Sequence, residues 1–323
     1  MDDGLKEKIE AQALVGEIDS FEEIEEGLNS IYRIEASKGE FVVKERTNER
    51  NDVEWFRAEP LIYRLLDDLD IPSPEIVFSR PHPENGDPFF VMEKLEGVNP
   101  EGFKEEISFE ALKSITAEFG RILGIIHSNT TFGGYGMLGG FEGKLENVYD
   151  AESWTESIQG SLEELEQLIG DGMEDPPELN FPEDREIREK LPERPESVLL
   201  HMDNRLDNLL VDGDEVKAFL DWSHPESGHH EYDIVRAEYL LIDYDLDFLS
   251  DEKKDILREL LYQSYEDEKK IDRKGFDERR ELYRKLTVIW IIAGFPNWGS
   301  ELDEGKRNEY RRDLINRARI EGL

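Results

Sequence analysis

Hydrophobic periodicity changes character near Gly97. Before that point apolar residues alternate in short runs. Ser30-Ile-Tyr-Arg-Ile-Glu, a turn at Lys38-Gly39 and Glu40-Phe-Val-Val-Lys-Glu predict a hairpin. Glu75-Ile-Val-Phe and Pro88-Phe-Phe-Val-Met-Glu predict two more strands, joined by a turn at Asn85-Gly86. Between the two pairs, Leu61, Leu65, Leu66 and Leu69 fall on one face of a helix over Glu59–Leu69. After Gly97 the spacing becomes helical. Leu112, Ile115, Phe119, Ile122, Leu123 and Ile126 mark a helix over Phe109–Ser128. Gly133-Gly-Tyr-Gly reads as a loop, and residues 155–195 as helical segments cut by Asp175-Pro-Pro-Glu. Residues 231–323 are helical and end in a basic tail with Arg311, Arg312, Arg317 and Arg319. The expectation is an α+β protein in two lobes: a sheet-rich lobe over 1–96 and a larger, mainly helical lobe over 97–323, with a hinge at about 93–97.

Charge limits the partners. Asp and Glu number 78 against 39 Lys and Arg, a net charge of -39 spread along the whole chain. Such a surface speaks against nucleic acid and anionic membranes as partners. It is the surface of a protein adapted to molar salt, and we expect it in the cytoplasm of a halophilic cell. No cysteine is present, so disulfides and thiolate metal sites are excluded. The first twenty residues lack the apolar core of a signal peptide. The longest apolar stretch, Leu286 to Phe295, is too short for a membrane span of about 20 residues. At least half of the acids cannot pair one to one with a base, so the compact state is self-repelling at low ionic strength. The screening length falls from about 10 Å at 0.1 M salt to about 3 Å at 1 M. The melting temperature should therefore rise by several degrees from about 0.1 M to about 2 M KCl. A flat or falling melting temperature across that series would rule out salt adaptation.

One segment breaks the helical run with a compact strand-turn-strand, Val198 to Trp222. Leu199-Leu200 lead into a polar loop, Asn208 opens a strand, Asp212-Gly213 makes a tight turn, and Val216–Leu220 returns antiparallel. Asp221 then lands beside Asn208, with Asp203 just upstream. Two oxygen-bearing side chains brought together in this way suit Mg²⁺, which takes few protein oxygens and completes its shell with phosphate and water. Asp203 is placed to accept a hydroxyl proton. Asp is common here, so the weight lies on the spacing His201-x-Asp203-x4-Asn208 followed by Asp221-Trp222.

That segment resembles the catalytic stretch of the aminoglycoside-phosphotransferase/choline-kinase family, which has a protein-kinase-like fold. The resemblance implies Asp203 as catalytic base and Asn208 and Asp221 as Mg²⁺ ligands, with ATP as phosphoryl donor and a small-molecule hydroxyl as acceptor. It departs from the family pattern at Met202, where Gly is usual, and at His229-His230, where Asp-Pro is usual after Gly228. The similarity extends upstream. Gly27-Leu-Asn29-Ser30 resembles a loop covering the phosphates, with Ser30 near the β-phosphate. Lys44, in Phe41-Val-Val-Lys, is either an edge-strand surface residue or the ligand of the α- and β-phosphates, and the resemblance favours the ligand. Glu59 aligns as its helix partner, with Glu54 as the fallback. Pro60 suits only a first helical turn, so the helix is expected to start late or kink and the ion pair to be loose. Met92 would flank the adenine, while the Glu93 carbonyl and the Leu95 N–H would read its edge.

Other residues read as structural. His127, in Leu123-Gly-Ile-Ile-His, is a packed histidine. His224, His229 and His230 match no zinc spacing and read as a solvated loop. Asp233 reads as a helix N-cap. The acceptor stays open between amino alcohol, aminoglycoside and sugar-like molecules. Asp243, Asp245 and Asp247 are not diagnostic in so acidic a chain, and Trp290 and Trp298 suit a core as well as a cation pocket. A protein kinase is disfavoured, because eleven residues between Asp221 and Asp233 leave no room for a long activation segment. The alternative is a catalytically silent nucleotide-binding scaffold or sensor of the same fold.

Overall fold

The computed structural model describes residues 3–24, 29–47, 53–82, 87–149, 151–173 and 176–323. Gly27 and the Asn85-Gly86 turn lie outside the described residues. A short helix α1 (Asp3–Glu10) precedes five strands: β1 (Ile18–Ile24), β2 (Ser30–Ala36), β3 (Gly39–Glu45), β4 (Ile76–Arg80) and β5 (Phe89–Glu93). They form one antiparallel sheet in the order β1-β2-β3-β5-β4. The period of two divides their side chains between two cores. Val43, Phe89 and Val91 face a small core with Leu5 and Ile9 of α1, whereas Phe90 joins the large core on the opposite side.

That opposite side is covered by α2 (Val53–Asp68), which buries Phe56, Ala58, Ile62 and Leu66. Pro60 sits inside the helix, not at its start. The expected late start is thus corrected. One missing N–H and a local steric conflict are outweighed by an apolar face that is buried on both sides of the proline.

The helical part comprises α3 (Phe109–Asn129), α4 (Trp154–Gly172), α5 (Asp184–Lys190), α6 (His230–Ala237), α7 (Asp251–Glu268), α8 (Phe276–Trp298) and α9 (Glu304–Ile320). Ser108 caps α3 by accepting from the Ala111 N–H. In α3, Gly120 permits close packing on α7, since a Cβ there would meet the Leu261 carbonyl oxygen at 2.4 Å. A π-helical segment, Glu238–Asp245, continues α6. Its fully buried Glu238 accepts from Tyr262 at 2.7 Å, Arg280 at 2.7 Å and Arg284 at 3.0 Å, which ties the segment to α7 and α8. Buried ion pairs of this kind are screened far less than surface ones, so molar salt leaves them largely intact.

The strands β6 (Gly136–Phe141), β7 (Lys144–Asn147), β8 (Ser197–Leu200) and β11 (Glu226–His229) form a second antiparallel sheet, in the order β7-β6-β11-β8. Between β8 and β11 lies the hairpin β9 (Leu209–Asp212) and β10 (Glu215–Phe219). Gly213 takes φ +65° in its turn, a conformation open to glycine without strain. Helix α2 rests directly on β6, where a Cβ on Gly140 would meet the Arg57 carbonyl at 2.5 Å. Past β5 the chain pairs Val98 with Val211 through two 3.0 Å backbone bonds, linking the β5 exit to the β9–β10 hairpin. Among the described residues no helix is long and apolar enough to cross a membrane.

Candidate active site

Lys44 lies on β3, the middle strand of the five, so it is no edge residue. Alternation sends Val43 toward α1 and Lys44 toward α2. Its Nζ lies 2.7 Å from Glu59 Oε2 and 2.9 Å from Oε1, with both side chains buried. The pair is tight despite Pro60, which sits one residue away inside a continuing helix. Glu54, the fallback, pairs with Arg57 at 3.1 Å. Lys44 Nζ also reaches Asp221 Oδ1 at 3.4 Å, which joins the front sheet to the β10 exit across 177 positions of sequence. Burial alone would lower the Lys44 pKa, but Glu59 and Asp221 raise it above the ordinary value, so it stays charged. Tyr63 completes the junction. It accepts from the Asp221 N–H at 3.2 Å and donates to Glu59 at 3.4 Å.

The loop after β8 is held from beneath by Asp233. This residue lies inside α6, not at its start, so the cap reading is corrected. Its Oδ2 accepts from the His201 N–H at 2.9 Å, and its Oδ1 from the Met202 N–H at 3.0 Å and Asn204 Nδ2 at 2.7 Å. His127 Nε2 lies 3.3 Å from Oδ2, while its Nδ1 meets the Tyr265 hydroxyl at 2.8 Å. Burial pushes the Asp233 carboxyl up, but His127 and His201 more than offset this and hold it at about 2. Met202 has φ +69°, the left-handed region glycine enters freely. A non-glycine residue costs of order 1–3 kcal/mol there. The Asp233 bond and the 2.8 Å bond from Arg236 Nε to the Met202 carbonyl hold it in place.

His201 donates from Nε2 to the Leu220 carbonyl at 2.9 Å, and its Nδ1 accepts from the Asp203 N–H at 3.2 Å. Its ring stacks on Phe219 at 4.3 Å, and burial lowers its pKa, so it is a neutral brace of the loop. Asp203 therefore projects from a loop fixed at both ends. Asn208 Nδ2 bonds the Asp203 carbonyl at 2.7 Å and Oδ2 at 3.2 Å, while its Oδ1 makes no hydrogen bond among the described residues. The Leu220 N–H donates to the Asn208 carbonyl at 2.8 Å, so the hairpin sets Asp221 beside Asn208. Partial burial pushes the Asp221 carboxyl up, but Lys44 and His224 hold it at about 2. Asp221 also has a positive φ, +57°. Leu206 N–H is anchored by Asp245 at 2.8 Å; burial raises Asp245 to about 7 and Asp207 to about 6.

Elsewhere, the Ser30 N–H and hydroxyl both meet Thr47 Oγ1, at 3.1 and 3.2 Å. Asn29 Oδ1 is buried without a partner among the described residues. Met92 is half-buried on β5, the Glu93 N–H bonds the Glu75 carbonyl at 2.9 Å, and the Leu95 N–H makes no hydrogen bond among the described residues. The solvated-loop reading is corrected for His229 and His230. His229 and His230 are buried where β11 runs into α6, with their Nδ1 atoms 2.8 Å from the Tyr283 and Tyr265 hydroxyls. Burial lowers them to about 3 and about 2, so they are neutral. Their side chains and Glu231 offer ligand atoms within 4.8 Å of one another, but Glu231 is already neutralised by Arg279 at 2.6 and 2.8 Å. Asp243 and Asp247 pair with Arg284 and Arg317. Trp290 stacks on Arg236 at 4.5 Å, and Trp298 packs on Phe295 and Tyr310.

Asn204, Tyr63 and Arg205, and the anchoring role of Asp233, escaped the reading of the sequence. A signal existed for Arg205 alone, as a cation two residues after Asp203.

A search of curated proteins finds no match to this sequence. Solved structures align over nearly the whole chain. A thermostable mutant of the aminoglycoside phosphotransferase APH(4)-Ia, in ternary complex with ADP and hygromycin B, superposes with TM-score 0.63 at 13% identity, covering 99% of each chain. The macrolide 2'-phosphotransferase MphH from Brachybacterium faecium gives 0.59 at 14%, covering 98% of each. The GDP complex of an aminoglycoside 2'-phosphotransferase-IIIa mutant gives 0.62 at 12%, covering 98% of this chain and 97% of the other. At such identities the likeness establishes a common fold, the two-lobed α+β fold expected above. The profile of the phosphotransferase enzyme family matches residues 20–267. With more than half of its length in that match, the chain belongs to the phosphotransferase enzyme family.

Proposed function

We propose that this protein transfers the γ-phosphate of ATP to a hydroxyl of a small molecule, an amino alcohol, aminoglycoside or sugar-like acceptor, with Asp203 as base. The supporting observation is the meeting of Lys44 with Asp221 at 3.4 Å, beside Asn208 and Asp203. Cation, carboxylates and amide come from three separate stretches of sequence. Two of the solved structures named above carry ligands, one ADP with hygromycin B and the other GDP, which is consistent with a nucleotide and a small-molecule acceptor on this fold.

The donor set fits Mg²⁺: Asn208 Oδ1 is unengaged among the described residues, and Asp221 is ionised. Asn208 and Asp221 would hold the ion, which neutralises charge on the phosphates when bound. Lys44, kept charged by Glu59, binds the α- and β-phosphates. The segment around Gly27, Asn29 and Ser30 covers them; a flipped Asn29 amide would present a donor. Met92 flanks the adenine, and the Glu93 carbonyl and the Leu95 N–H read its edge. Asp203 aligns the acceptor hydroxyl. The acceptor oxygen bonds to phosphorus as the bond to the departing ADP oxygen breaks, and the hydroxyl proton passes to Asp203. Residues 1–96 and 97–323 act as the two lobes, with the nucleotide between them.

The test is Mg²⁺-dependent ATP consumption in about 2 M KCl against an acceptor panel, with product identified by mass. Asp221→Ala should lose most of the Mg²⁺ dependence of ATP affinity as well as the rate, and Asn208→Ala less. An unchanged metal dependence in Asp221→Ala sinks the ligand assignment. Tight Mg·ATP binding with no transfer to any acceptor makes the chain the silent scaffold instead.

A further inference from the structure

Asp203 is engaged on both oxygens. Arg205 lays its guanidinium along the carboxylate, with Nε 2.9 Å from Oδ1 and Nη2 3.3 Å from Oδ2. Asn208 Nδ2 adds a third donor on Oδ2 at 3.2 Å. An ionised carboxylate has about four acceptor sites, so three donors leave little room for an acceptor hydroxyl. Arg205 also reaches Asp207 Oδ2, at 3.0 Å from Nη2.

The backbone cannot carry this arginine away. Asn204 before it is locked to Asp233, the Leu206 N–H after it to Asp245, and the Asn208 N–H donates to the Arg205 carbonyl at 3.2 Å. The side chain is freer, with 34% of its surface exposed. A base stands about 2.6–3.2 Å from the hydroxyl it deprotonates, and that oxygen stands about 3–3.5 Å from the phosphorus it attacks. A guanidinium already touching the base oxygen is therefore one side-chain rotation from the γ-phosphoryl oxygens. Arginine suits such an exchange, because its planar fork meets carboxylate and phosphate with the same paired donors. Asp207 supplies a contact that can persist while Asp203 is released.

On the proposed function above, on which this step rests, we propose that Arg205 is a phosphate-binding catalytic residue. It exchanges Asp203 for the γ-phosphoryl oxygens of bound ATP, pivots on Asp207, and bares Asp203 for the acceptor hydroxyl. No bond to Arg205 is made or broken; its charge follows the phosphoryl group through transfer.

The experiment compares full-length wild type, Arg205→Gln and Arg205→Lys in high salt. Calorimetric affinities for ADP and for a non-hydrolysable ATP analogue are measured with Mg²⁺, together with kcat. Wild type that binds neither nucleotide overturns the proposed function itself, and this arm is read first. If wild type binds, Arg205→Gln should cut its preference for the ATP analogue over ADP about tenfold or more, with ADP affinity little changed, and lower kcat roughly 100-fold or more. Arg205→Lys, which keeps the charge and loses the fork, should fall between, and it decides alone by the same ratio if Arg205→Gln does not fold. A ratio and kcat close to wild type, or an equal weakening of both nucleotides, would leave Arg205 a mere clamp of the loop and overturn the proposal.

Discussion

Asp203→Asn is expected to reduce phosphate transfer by roughly 10²- to 10⁴-fold while ATP affinity holds or tightens. That is about 3–5 kcal/mol of transition-state stabilisation. The substitution keeps shape and removes the one function a base needs, a lone pair able to take the hydroxyl proton. Folding should survive, because the loop is held through the backbone N–H groups of His201 and Met202 and through Asn204, none of which depends on the Asp203 carboxylate. Affinity should not fall, because a negative charge is removed from beside the phosphates and Arg205 loses its strongest partner. Single-turnover rates and calorimetric ATP binding on the same preparation check both halves. Near-normal turnover would show that Asp203 is not the base, and the assignment of the whole segment would go with it.

What the sequence revealed was local or strictly periodic. The β2–β3 hairpin followed from alternation around Lys38-Gly39, and the β9–β10 hairpin from Asp212-Gly213. The spacing of Asp203, Asn208 and Asp221 carried their proximity because a two-strand excursion has only one way to return. What stayed hidden depended on contacts distant in sequence. Asp233 binds the His201 N–H across 32 positions, and nothing in Tyr232-Asp-Ile distinguishes an anchor from a cap. The strands β6 and β11 are rich in glycine, serine and histidine, so they show no apolar alternation; their pairing is set by burial on both faces. His229 and His230 look hydrophilic in isolation, yet tyrosine hydroxyls complete their hydrogen bonds inside the core. Pro60 was read by its cost alone, whereas the buried face of α2 decides the outcome.

Asp233→Ala should cost about 3–5 kcal/mol of stability near pH 7, the largest loss expected from any single polar substitution beneath this site. The carboxylate is fully buried and accepts from two backbone N–H groups and the Asn204 amide, with His127 as a further partner. Alanine leaves those donors in the interior without an acceptor, at about 1–3 kcal/mol each before relaxation. It also removes a bond that keeps Met202 at positive φ, so the loop carrying Asp203 should loosen and transfer should fall with stability. The loss has a pH signature. Burial raises the Asp233 carboxyl and its partners lower it further, so its folded value of about 2 lies below the ordinary unfolded value of about 3.9. A depressed carboxyl contributes stability that is complete above the unfolded value and is lost as pH falls through the folded one. The contribution, of order 2–3 kcal/mol, should therefore vanish between about pH 4 and pH 2. Urea midpoints of wild type and Asp233→Ala, taken in about 2 M KCl to suppress the general charge repulsion, should differ most near neutrality and converge in acid. The broad titration of the other carboxylates is common to both proteins and cancels in the difference. A gap below about 1 kcal/mol at pH 7, or one that does not narrow on acidification, would show that Asp233 is not the ionised anchor of the loop.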